Sequence, residues 1–100
     1  RKHLFNYYIV LNKEENMKKV TIYSGSPCSY CEAAKTLLKS KNIAFEEFDV
    51  WQDPSKAKEM LRRTNGARTI PQIFIEDHYI GSNEQLQEAN KTGELDKLLT

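Results

Sequence analysis

Cysteine is nearly absent from this chain: there are two in one hundred residues, at positions 28 and 31. A small secreted domain usually carries several cysteines that staple distant segments. A pair this close closes only a tiny loop, so a bridge there adds little stability through loop entropy. Such usage points instead to redox or metal chemistry in a reducing compartment, and the protein is expected to be cytoplasmic. Glycine (4) and proline (3) are scarce too, which excludes a flexible linker or a low-complexity array. Charge of one sign is not in excess: 29% of residues are charged, yet the formal net charge is +1. No global field therefore calls for nucleic acid or a membrane surface.

Long apolar runs are also missing. Arg1-Lys2-His3 followed by Leu4-Phe5-Asn6-Tyr7-Tyr8-Ile9-Val10-Leu11 has a faint signal-peptide look. The run is interrupted by Asn6, and Asn12-Lys13-Glu14-Glu15-Asn16 offers no small-residue cleavage site. It is too short to span a bilayer. Met17, followed by Lys18-Lys19 and a strand pattern, reads as a natural start. Residues 1–16 are accordingly expected to be an upstream or non-native extension, the alternative being an extra strand or arm packed on the domain.

What remains is enough for one core, with 39% hydrophobic residues in a length that suits a single domain. Val20-Thr21-Ile22-Tyr23 is β-branched and aromatic, a short buried strand, and Ser24-Gly25-Ser26-Pro27 breaks it. From about 29 to 41, Ala33, Ala34, Leu37 and Leu38 recur at helical spacing with lysines opposite. A second strand covers 44–50. Asp53-Pro54 starts a helix running to about Arg63, with Ala57, Met60 and Leu61 facing inward and Asn65-Gly66 ending it. Gln72-Ile73-Phe74-Ile75 and His78-Tyr79-Ile80 form a hairpin around Glu76-Asp77. Gly81-Ser82-Asn83-Glu84 opens a third helix, and Gly93 separates it from a short last one with Leu95, Leu98 and Leu99. Phe45 and Phe48 read as core, and Trp51 as a partly exposed loop residue.

The order β-α-β, α, β-hairpin, α predicts an α/β fold. Its first two strands run parallel through a right-handed crossover, and the hairpin adds two antiparallel strands. The result is a four-stranded mixed sheet flanked by helices on both faces.

The cysteines stand where the first strand gives way to the first helix. Unpaired N–H groups and the positive dipole end at a helix N-terminus stabilise a thiolate. They lower a cysteine pKa from about 8.5 into roughly the 3.5–7.5 range. Cys28, at the exposed start, is the expected attacker, and Cys31, one turn in, the resolving thiol. Half of a zinc site is the rival reading. It needs a second ligand pair, and His3 and His78 are separated by most of the chain.

Four runs, in matching order and spacing from Met17 onward, resemble the glutaredoxin family. Cys28-Ser29-Tyr30-Cys31 is similar to its Cys-Pro-Tyr-Cys site, and Gly66-Ala67-Arg68-Thr69-Ile70-Pro71 to its segment ending in Thr-Val-Pro. Gln72-Ile73-Phe74-Ile75 resembles the strand that follows, and Gly81-Ser82-Asn83-Glu84 its Gly-Gly-x-Asp run. The resemblance implies a thioredoxin-like fold for residues 17–100 and glutathione-dependent thiol–disulfide exchange. The substrates would be glutathionylated proteins and protein disulfides, handled by a monomer. It also implies a cis bond before Pro71, which would leave the Ile70 backbone facing the cysteines to pair with a peptide. An ordinary trans proline opening an edge strand is the alternative.

By the same resemblance Thr69, Ile70 and Pro71 line one side of the glutathione groove and Tyr30 covers the sulfur. Gly81, Asn83 and Glu84 form a helix N-terminus that receives the γ-glutamyl carboxylate. Arg63 or Arg68 pairs with the glycine carboxylate.

Three departures qualify this. Ser29 replaces the usual proline, and some relatives with serine there hold a glutathione-ligated [2Fe–2S] cluster between two subunits. Cys28 would then be this chain's cluster ligand, and a cluster carrier or sensor is the alternative function. Gly25 stands where many relatives place a lysine that contacts glutathione. Ser82-Asn83-Glu84 lacks the usual second glycine and aspartate. A carrier reduced by thioredoxin reductase is a further reading, which the Thr69-Ile70-Pro71 and Gly81 features disfavour.

Overall fold

Alternation along two strands decides what each face of the sheet meets. In the computed structural model, which describes residues 6–8 and 18–100, the strand Val20–Ser24 (β2) is buried along its whole length. Val20 and Ile22 point to one face and Tyr23 to the other, as the period of two requires. The strand Gln72–Ile75 (β4) repeats the arrangement, with Ile73 and Ile75 on the first face and Phe74 on the second.

The first face is covered by three helices: Ser29–Ser40 (α1), Asn83–Thr92 (α3) and Glu94–Leu99 (α4). They bring Ala34, Leu38, Leu86, Leu95 and Leu99 against Val20, Ile22, Phe45, Ile73 and Ile75. Leu38 is 1% exposed, so truncation to alanine would cost about 2–5 kcal/mol. The second face is covered by Pro54–Arg63 (α2), whose Met60 and Ala57 meet Tyr23, Val50 and Phe74. Asp53 caps α2 by accepting the Ser55 N–H at 3.0 Å, and Pro54 stands in its first turn, as the sequence predicts.

The strand Phe45–Asp49 (β3) runs parallel to β2; β4 is antiparallel to β2, and His78–Gly81 (β5) antiparallel to β4. These are the four strands expected. A fifth, Asn6–Tyr8 (β1), pairs antiparallel with the free edge of β3, Tyr7 opposite Glu46, giving the order β1-β3-β2-β4-β5. Three residues of the segment set apart as an extension thus lie along the sheet; the rest of 1–17, including Met17, is outside the described residues. Phe48 is only half-buried, under the Lys56 ammonium 3.9 Å from its ring centre.

The topology puts three loops at one end of the sheet: the one leaving β2 for α1, the one entering β4, and the one leaving β5 for α3. Every motif singled out in the sequence as site-forming, apart from Arg63, belongs to one of them.

Candidate active site

The β2–α1 loop positions the cysteines. Cys28 is the N-cap of α1, with extended backbone, and its Sγ accepts the backbone N–H of Cys31 at 3.1 Å. A sulfur thus occupies the capping position usually held by a serine or aspartate oxygen, directly on the helix's unpaired donors. Cys28 is half-buried and Cys31 is 0% exposed. The two are joined as a disulfide across a Cα–Cα distance of 5.3 Å. Among the described residues no three His, Cys, Asp or Glu side chains gather into a metal-binding cluster.

The loop entering β4 supplies the second element. The Ile70–Pro71 peptide is cis, and so is Ser26–Pro27, which no sequence motif points to. Thr69 is held by Gln72, a side chain only 2% exposed. Its amide Nε2 donates to the Thr69 carbonyl at 2.9 Å and to Thr69 Oγ1 at 3.2 Å. Its Oε1 accepts the Tyr79 hydroxyl from β5. Burial raises the Tyr79 phenol above its ordinary value, so the hydroxyl stays a donor.

The third element is the turn into α3. Gly81 has φ +118°, a backbone that side chains other than hydrogen rarely adopt, and it aims Ser82 away from the strand. The Gln85 side-chain oxygen accepts both the Ser82 backbone N–H at 2.9 Å and its hydroxyl at 2.6 Å, fixing the start of the helix.

Together these loops enclose a groove of about 630 Å³ lined by Tyr30, Thr69, Ile70, Pro71, Ser82, Asn83 and Glu84. Six of the sequence-predicted site residues meet there. Tyr30, two positions past Cys28, is 68% exposed and forms the groove's outer wall. Gly81 lies buried behind the lining, where it sets the turn. Arg68 lines a second groove, of about 240 Å³, that adjoins the first through Ile70.

Arg63, the alternative to Arg68 in the sequence expectation, lines neither groove. Its guanidinium donates to the Tyr23 hydroxyl at 2.9 Å and to the Glu76 carbonyl at 3.2 Å. It lies 3.7 Å from the Asp77 carboxylate and 3.9 Å from the Phe74 ring centre. Glu76 is in the turn that ends β4, whereas Pro71 precedes its start, so Arg63 reaches toward the hairpin end of the sheet. The physical reason is the direction of α2: its C-terminal turn leans over the hairpin end of the sheet.

Two residues the sequence reading left aside border the site. Gln72 is one. Trp51 is the other: it is 55% exposed, lines the second groove, and lies flat on Gly25. A methyl carbon on Gly25 would stand 2.5 Å from the indole Cδ2 and 2.9 Å from Ile70 Cδ1.

This geometry has counterparts. The family model described as Glutaredoxin matches residues 20–80. Glutaredoxin 3 of Escherichia coli is 41% identical over 83 residues, covering 83% of this chain and 99% of that protein. Glutaredoxin 1 of Rickettsia conorii is 40% identical over 81 residues, covering 80% and 79%. The solution structure of a glutaredoxin from Brucella melitensis superposes with a TM-score of 0.72 at 38% identity, covering 84% of this chain and 90% of that one. With a cysteine pair capping α1, a cis proline entering β4 and relatives spanning the same elements, this chain belongs to the glutaredoxin family of thiol–disulfide oxidoreductases.

Proposed function

We propose that the protein uses glutathione to reduce protein–glutathione mixed disulfides and protein disulfides, with Cys28 as attacking thiolate and Cys31 as resolving thiol. The observation that carries this is the asymmetry of the pair: a half-buried Cys28 sulfur on the N–H donors of α1, and a fully buried Cys31 behind it. In the reduced protein the same N–H groups and the helix dipole favour the Cys28 anion.

The thiolate attacks the glutathione sulfur of a glutathionylated protein. The old S–S bond breaks, the protein thiolate leaves, and glutathione remains on Cys28. A second glutathione thiolate attacks that mixed disulfide, releasing oxidised glutathione and restoring the Cys28 anion. For a protein disulfide, Cys31 attacks the mixed disulfide with the substrate and forms the Cys28–Cys31 bridge, which two glutathiones reopen. Family potentials of about −200 to −230 mV suit this direction in a reducing cytosol, where we place the protein as a monomer. No helix among the described residues is long and apolar enough to cross a membrane. Residues 17–100 would form the working domain.

Glutathione would lie in the larger groove, its cysteine on Cys28 under Tyr30 and its backbone along Thr69, Ile70 and Pro71. The γ-glutamyl carboxylate would sit at the α3 N-terminus by Asn83 and Glu84, beyond the turn at Gly81. Arg68, which lines the adjoining groove together with Lys58, would pair with the glycine carboxylate. Turnover of a glutathionylated peptide, followed as oxidised glutathione formed, tests the reading. Absence of glutathione-dependent turnover would end it.

Ser29, exposed in the first turn of α1, supports the second reading, a glutathione-ligated [2Fe–2S] carrier or sensor. Cys28 is the ligand this chain would offer and glutathione the other; no step of the reductase reaction passes through the cluster. An absorbance spectrum of anaerobically purified protein, with gel filtration, separates the two. A coloured dimer supports the carrier, and a colourless monomer with high reductase activity rules against it.

A further inference from the structure

Two grooves meet at Ile70, and of the smaller one's lining only Ile70 and Arg68 are site residues expected from the sequence. The smaller is lined by the apolar Val50, Met60, Leu61 and Ile70, by Trp51, and by two cations, Lys58 and Arg68. Trp51 is held there by a close approach. Its indole rests on the bare backbone of Gly25, three residues before Cys28, and Ile70, the residue before the cis proline, closes on the same spot and lines the same groove. Any side chain at position 25 would occupy the indole's place. The loop that carries the cysteines is thus in contact with this tryptophan, and both converge on the residue that lines both grooves.

If glutathione binds as proposed above, the direction of its chain follows. An extended tripeptide reaches roughly 10 Å. With its middle residue on Cys28 and its γ-glutamyl end at α3, the glycine end must cross Ile70 into the smaller groove. We infer that Trp51 is a specificity-determining residue: its exposed indole is the wall against which the glycine of glutathione lies, so the protein prefers glutathione to γ-glutamylcysteine. The indole also removes water from one side of the Arg68–carboxylate pair. An ion pair in open solvent contributes little, and partial exclusion of water strengthens it. This inference rests on the glutathione reading and adds a residue to it.

Trp51 is the chain's one tryptophan, so its emission reports its own surroundings. S-methylglutathione, which has no free thiol to exchange, is titrated into reduced wild-type protein and followed by calorimetry and by tryptophan emission. Heat and emission should saturate together. Separately, kcat/KM is measured for one peptide carrying either glutathione or γ-glutamylcysteine on its cysteine. Trp51→Ala should reduce the preference for glutathione about fivefold, through KM, with kcat changed less than about twofold. Trp51→Phe should restore most of it, and Gly25→Ala, which displaces the indole, should resemble Trp51→Ala. Binding heat with unchanged emission, or an unchanged preference in Trp51→Ala, overturns the role of Trp51 and leaves the glutathione reading intact. No binding heat in the wild type overturns both.

Discussion

Gln72 holds Thr69 by two hydrogen bonds from a single amide nitrogen, 2.9 Å to the carbonyl and 3.2 Å to the hydroxyl. The amide is itself oriented by the Tyr79 hydroxyl on its oxygen, so a chain of three side groups runs from β5 to the groove wall. A buried polar group whose partners are all made is rigid, and one whose partner is removed is costly.

Replacing Gln72 with leucine keeps the volume and removes both bonds to Thr69 and the one from Tyr79. The expected result is a loss of about 1–2 kcal/mol in urea unfolding. KM for a glutathionylated peptide should rise several-fold while kcat changes little, because Gln72 positions Thr69 without touching the reacting sulfurs. A variant with unaltered KM would show that the loop keeps its shape without the clamp.

The two arginines separate function from structure. Arg68→Gln should raise KM for glutathione, since a groove-lining cation is lost, and leave stability within about 0.5 kcal/mol, as for an exposed position. Arg63→Ala should do the reverse. It loses bonds to Tyr23 and Glu76 and its packing on Phe74, so stability should fall by about 1–3 kcal/mol with KM unchanged. Steady-state kinetics beside thermal unfolding of both variants checks the pair.

Legibility in the sequence followed the range of each interaction. Asp53-Pro54, the hairpin around Glu76-Asp77 and the turn into α3 at Gly81 are local patterns, and each element they predict is found. That Tyr30, Thr69, Ile70, Pro71, Asn83 and Glu84 share one groove was legible only through the family resemblance, since the three loops that carry them are far apart in sequence. Trp51 was not, because its meaning comes from Gly25, twenty-six positions earlier by their residue numbers, and no periodicity links the two. Arg63 and Arg68 look alike as cations near a helix end; only the direction of α2 sends one to the hairpin and leaves the other by Ile70. Gln72, a polar residue opening an apolar strand, gives its signal only once Thr69 and Tyr79 are seen to converge on it.

Alkaline pH should expose the contribution of Tyr23. Burial first, and its hydrogen bond to Glu59 second, push this phenol up from 10.0 to about 12, against the lowering effect of Arg63. Below pH 10 both folded and unfolded chains carry the proton, and the contribution is fully present. Between 10 and 12 the unfolded chain has lost a proton that the folded one keeps, so stability falls as pH rises, by about 2 kcal/mol over that window. Urea unfolding of wild type and Tyr23→Phe at pH 9, 10 and 11 checks this. The variant should start lower and lose less, whereas parallel curves would contradict the assignment.

The division of labour between Cys28 and Cys31 is the central claim, and glutathione-dependent reduction of a glutathionylated peptide by Cys28→Ser and Cys31→Ser tests it most directly. The account predicts no turnover above the uncatalysed rate for Cys28→Ser, and a large share of wild-type turnover for Cys31→Ser, whose remaining thiolate completes the cycle with glutathione alone. Retained activity in Cys28→Ser would contradict it.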